Sequence, residues 1–76
     1  MNEPIQLSNL PKGKEAVIVD YLGSRGFAQK AIQMGLNRNE KLKVLDSFGG
    51  PVVIEIHGSK LALGRGVAMK ILVRSL

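Results

Sequence analysis

Turn-forming residues divide this chain into pieces too short for any large element. Pro11 and Gly13, Gly23, Gly35, the run Gly49-Gly50-Pro51, Gly58, and Gly64 with Gly66 leave between them several segments of strand length and one of helix length. A chain punctuated in this way folds as a small sheet of short strands. Its 76 residues suffice for one hydrophobic core, near the lower limit at which packing alone stabilises a fold, so residues 1–76 are expected to form a single domain. With no cysteine, disulfides, thiolate catalysis and Cys-based zinc or iron–sulfur sites are excluded. Apolar residues at 45% and charged residues at 22% argue against disorder.

The segments read as follows. Leu7 and Leu10 flank a Ser8-Asn9 turn after a flexible start and are placed to cap one end of the core, and Pro11 to Lys14 stops any helix there. Glu15 to Leu22 is a strand with Val17 and Val19 on one face and Ala16, Ile18 and Asp20 on the other, apolar enough to be buried on much of both faces. From Arg25 to Met34 the period becomes helical: Phe27, Ala31 and Met34 form a stripe broadened by Ala28 and Ile32, with Gln29, Lys30 and Gln33 outward. Ser24 is positioned as N-cap, and Gly35 stands where a left-handed C-terminal residue is wanted, with Leu36 packing back on the last turn. After a turn over Asn37 to Glu40, Lys41 to Asp46 and Val52 to His57 are strands. Gly58-Ser59, between His57 and Lys60, is a two-residue hairpin signal that returns the chain as Lys60 to Leu63. Gly64 to Lys70 predicts one helical turn, and Ile71 to Arg74 the last strand. Five strands and one helix suit a mainly β, strongly bent barrel in which the last strand lies beside the first and closure removes exposed edges. The pattern admits SH3-like, OB-like and Sm-like barrels.

Catalytic spacing is missing. One histidine, no cysteine and six scattered carboxylates offer no nucleophile, base and orienting group, so no catalytic residue is assigned. His57 has only Glu55 nearby on its own strand face, a poor set for a metal ion, and no metal or cofactor ligands are assigned. None of the glycine pairs is followed by Lys-Ser/Thr or set in a dinucleotide-binding unit, so they are turn residues. The net charge of +5 narrows the partners to nucleic acid, acidic lipid or an acidic protein surface. Nucleic acid is not expected, because Tyr21, Phe27 and Phe48 do not make a stacking platform. The N-terminus lacks a signal-peptide pattern and no apolar run approaches the roughly 18 residues of a membrane span, which together predict a soluble cytoplasmic protein.

One pattern spans nearly the whole chain: Leu7-x-x-Leu10-Pro11-x-Gly13, then Met34-Gly35-Leu36, then Pro51-Val52-Val53-Ile54-Glu55-Ile56-x-Gly58-x-x-Leu61-Ala62-Leu63, and finally Ala68-x-x-Ile71-Leu72-Val73. In the order and approximate spacing of these blocks the chain resembles the FeoA family, small cytosolic components of bacterial ferrous iron transport. The resemblance implies an SH3-like barrel with the helix between the first and second strands. It also implies a non-enzymatic accessory role in which the domain binds and regulates FeoB, a membrane iron transporter with a cytosolic GTP-binding domain. Where relatives have a Pro-Gly turn after Gly35-Leu36 this chain has Arg38-Asn39, and Asn39 can take the left-handed conformation of the missing glycine. Where relatives often carry consecutive arginines the helix reads Gly26-Phe27-Ala28-Gln29-Lys30.

The matching positions are framework residues, so partner contacts are sought among outward residues between the blocks: Arg25, Lys30, Arg38 and Phe48. Two other functions compete with this one. The SH3-like C-terminal module of iron-dependent repressors resembles FeoA but normally follows helix-turn-helix and dimerisation regions that this chain does not show. A small basic nucleic-acid-binding barrel would show salt-sensitive binding to RNA or DNA.

Overall fold

The computed structural model describes residues 3–47 and 49–76. Six strands form one antiparallel sheet: β1 (Ile5–Gln6), β2 (Glu15–Tyr21), β3 (Lys41–Asp46), β4 (Val52–Ile56), β5 (Ser59–Leu63) and β6 (Ile71–Ser75). Helix α1 (Arg25–Gln33) joins β2 to β3, a single turn α2 (Arg65–Ala68) joins β5 to β6, and Leu7–Asn9 is a 3-10 turn. The strand order β1-β6-β2-β3-β4-β5 places the last strand beside the strand that begins at Glu15, as the sequence predicts, and the architecture is the SH3-like one.

Two features of the sheet depart from expectation. Ile5–Gln6, read as a flexible start, is a sixth strand, because β6 offers Val73 and Leu72 as cross-strand partners. Two residues carry no periodicity of their own, so only the distant strand reveals this one. The sheet also stays open, with β1 and β5 at its two edges, instead of closing into a barrel. Helix α2, which follows β5, packs on the 3-10 turn that follows β1, so the ends of the sheet approach through these turns and not through a ladder.

Each strand contributes alternate residues to the core. Ala16 and Ile18, Leu42 and Val44, Val52, Ile54 and Ile56, Leu63, and Ile71 and Val73 are all buried, and no polar side chain is buried with them among the described residues. Leu7 and Leu10 close one end, at 0% and 2% exposure, in the capping position anticipated for them.

The β4–β5 hairpin corrects the expected register. Ile56 pairs with Ser59, so the two turn residues are His57 and Gly58 rather than Gly58 and Ser59, and both have positive φ, 55° and 75°. This is the turn geometry whose twist matches that of the strands. It sets Ile54 opposite Leu61 and Val52 opposite Leu63, which keeps all four apolar side chains on the core face.

A bulge in β2 also alters a predicted face. Ile18 pairs with Val73 and Asp20 with Leu72, leaving Val19 as an extra residue. Beyond it the alternation shifts by one. Asp20 therefore lies outside with Leu72, not inside with Ala16 and Ile18, and Tyr21 turns onto the core opposite Ile71.

Candidate functional site

Helix α1 is built by local rules. The Ser24 hydroxyl accepts the Phe27 N–H at 3.2 Å at its start. At its end Gly35, with φ 89°, lets the Gly35 N–H reach the Ile32 carbonyl at 2.9 Å and the Leu36 N–H reach the Ala31 carbonyl at 3.0 Å. The helix docks by little apolar surface: Ala31 is buried and Phe27 packs against the core. Ile32 and Met34, read from the sequence as part of the buried stripe, are 42% and 38% exposed. With Phe27 and Ala31 facing the sheet, Ile32 lies about a third of a turn away and faces solvent, while Met34, on the same side as Phe27 by period, stands at the C-cap beyond the last helical residue.

Arg25 opens this helix and Lys30 stands on it, both exposed, as expected of contact residues. Beside the helix start the Leu22 N–H donates to the Lys70 carbonyl at 2.7 Å, and the Lys70 ammonium lies 5.4 Å from the Phe27 ring centroid. Leu22 and Met69, flanking this junction, are exposed at 39% and 46%. Sequence reasoning did not single them out, since each follows or precedes an element without a period to betray its side. Exposed apolar and basic side chains thus occur both on α1, as Ile32 and Met34 with Arg25 and Lys30, and at this junction, as Leu22 and Met69 with Lys70.

Arg38 behaves differently. Its guanidinium donates to the Asp20 carboxylate at 3.0 Å and lies 4.8 Å from the Tyr21 ring centroid, while the Tyr21 hydroxyl donates to the Leu36 carbonyl. Asn39, with φ 71°, adopts the left-handed conformation anticipated for it. Arg38 thus braces the turn after α1 and is not aligned with Arg25 and Lys30. The Asp20 carboxyl titrates below its ordinary value, first because the Tyr21 N–H donates to it and then because Arg38 does, whereas burial raises the Tyr21 phenol. Phe48, the fourth expected contact, lies outside the described residues. The loop around it is tied to α2 by Arg65, which donates to the Gly50 carbonyl at 3.2 Å and to the Ser47 hydroxyl at 3.4 Å.

His57 occupies the hairpin turn, where its Nε2 lies 3.6 Å from a Glu40 carboxylate oxygen. Two groups do not complete a coordination sphere, and among the described residues no three His, Cys, Asp or Glu side chains come together to hold a metal ion. No helix among the described residues is long and apolar enough to cross a membrane.

This arrangement, an open SH3-like sheet with a capped helix inserted after β2, coincides with known proteins. The family model described as the FeoA domain matches residues 5–75. The chain belongs to the FeoA family. Across 62 residues it is 42% identical to a protein of Methanocaldococcus jannaschii named "Putative Fe(2+) transport protein A", covering 82% of this chain and 76% of that one. The crystal structure of an iron uptake regulatory protein, FeoA, superposes with a TM-score of 0.89 at 33% identity, over 97% of this chain and 100% of that one. The same fold occurs in a manganese-dependent transcriptional repressor, with a TM-score of 0.86 at 22% identity, where it accounts for 44% of the chain. That last likeness concerns the fold alone.

Proposed function

We propose that this FeoA-family protein is a non-enzymatic accessory protein of ferrous iron uptake that binds and regulates a FeoB-like membrane transporter through contact with its cytosolic region. The observation that carries this reading is its 42% identity to a protein named for Fe(2+) transport, joined to a fold match over the full length of a FeoA. What the domain offers a partner is surface. Helix α1 carries exposed Arg25 and Ile32 along one side and Lys30 and Met34 along another, and mixed apolar and basic surface of this kind suits a small, transient protein interface. On this reading the protein works in the cytoplasm and reaches the inner membrane face through its partner.

Chemical-shift mapping of the labelled protein against the cytosolic region of the transporter tests the reading. Shifts concentrated on α1, together with reduced iron uptake when the protein is deleted, are expected. Absence of any binding, with GTP hydrolysis and iron uptake unchanged by the protein, overturns it.

A further inference from the structure

The two edges of the open sheet are unlike each other. Strand β1 has two residues, too few to offer a ladder, whereas β5 has five and pairs with β4 along its whole length. The turn at His57-Gly58 closes between Ile56 and Ser59, which makes that pair hydrogen-bonded, and alternation carries the pattern to Ile54 with Leu61 and Val52 with Leu63. The N–H and C=O groups of Lys60 and Ala62 therefore point the other way, out of the edge of the sheet. Both residues are exposed, and no described residue takes up these groups. Leu63, where the chain passes on to α2, is buried, so the open stretch runs from Ser59 to Ala62.

The residues of this edge are complementary to themselves. In an antiparallel pairing about a two-fold axis at Leu61, Lys60 of one copy stands opposite Ala62 of the other, and each such pair exchanges both of its backbone hydrogen bonds. Leu61 meets its own twin on the axis, in the close position between those pairs. It packs against the core yet is only half-buried, and the twin covers what the fold leaves open. A lysine commonly guards an exposed edge. Here Lys60 is the one charge on β5, it stands opposite Glu55 in its own chain, and the residue that a second copy sets against it is the small, uncharged Ala62. The two lysines lie diagonally across the axis and never face each other.

We infer that the free edge of β5 is a self-association site, at which a second copy of this chain adds its own β5 antiparallel, centred on Leu61, to form one continuous sheet. An edge this short lies at the low end of interface sizes, so a dissociation constant of about 0.1–1 mM is expected. The net charge of +5 on each copy opposes association, and added salt therefore strengthens it. The inference goes beyond the transporter reading and does not rest on it.

The test uses the full chain alone, isotopically labelled, in a dilution series from about 2 mM down to about 0.02 mM, which brackets the expected constant. Expected are concentration-dependent amide shifts at Lys60, Leu61 and Ala62, slower amide exchange at Lys60 and Ala62 in the concentrated sample, and a rising mass in sedimentation equilibrium. A mixture of labelled and unlabelled protein should show a methyl contact between the two copies of Leu61. Ala62→Pro removes an N–H that has no partner within the chain, on an edge that tolerates proline, and should weaken association about tenfold or more. Ala62→Lys sets like charges directly opposite each other across the axis and should weaken it as well. Thermal midpoints identify which variants are folded, and either folded variant decides the outcome. Absence of any concentration dependence overturns the inference. So do concentration-dependent shifts that spare β5, undiminished association of a folded variant, or association that weakens as salt is added. The transporter reading is decided separately, by the transporter's own titration.

Discussion

The sheet and helix α1 are held in place by different physics. Inside the sheet, Ile18, Val44, Ile54, Ile71 and Val73 are completely buried, each against residues far away in sequence. In α1 only Ala31 reaches that state, and the helix depends on its own ends: the Ser24 cap and the turn at Gly35. The sheet is therefore rigid through shared packing, whereas the helix is secured locally and leaves Ile32 and Met34 to solvent. A face that contributes little to folding is available for a partner.

The sharpest way to break this contrast is to delete packing from each side. Ile54→Ala removes a fully buried side chain from the central ladder and should lower stability by about 2–5 kcal/mol in urea unfolding. Gly35→Ala should cost about 1–3 kcal/mol, since φ is 89° there and no atom lies within 4 Å of the added carbon, so the loss measures backbone strain alone. Ser24→Ala, which leaves the Phe27 N–H without its cap, should cost about 1 kcal/mol and show first as faster amide exchange in the opening turn of α1.

The brace responds to pH through Asp20. The Asp20 carboxyl is lowered in the folded protein, so its contribution is present above the ordinary carboxylate value of about 3.9 and disappears as pH falls through the lowered value. Carboxyl chemical shifts followed against pH should show this, and Arg38→Gln should move the Asp20 midpoint upward. Tyr21, raised by burial, has the opposite sign: its contribution is complete below a pH of about 10 and is lost as pH rises through the higher folded-state value. The smallest effect is expected at Ile32→Ser, within about 0.5 kcal/mol of wild type because the side chain is 42% exposed, but with weakened binding of the transporter's cytosolic region. A loss comparable to that of Ile54→Ala would show that α1 is as firmly packed as the sheet and would end the comparison.

Much of the fold was legible in the chain because short-range interactions determine it. Ser24, Gly35 and Asn39 do what their positions predict, and the alternation of Val52, Ile54 and Ile56 marks the central strand and its buried face directly. The candidate site was less legible. Arg25 and Lys30 are exposed as expected, but Arg38 is occupied by Asp20 and Tyr21, partners that adjoin it only once β2 and the turn after α1 come together. Ile32 and Met34 fit a helical stripe whose depth depends on how far the helix sinks onto the sheet, which periodicity does not encode.

What the sequence alone determined is α1 and the strands β2 to β6 to within about a residue of their ends, together with the family, because caps, turns and alternation act over a few residues. Only the tertiary structure decided the pairing of Ile5–Gln6 with β6, the hairpin register at His57-Gly58, the phase shift at Val19 and the open edges of the sheet. Each of these depends on what a distant strand offers. The same holds for β2, whose apolar run marks two faces for burial: the fold covers one and leaves Val17 and Val19 at the floor of a groove.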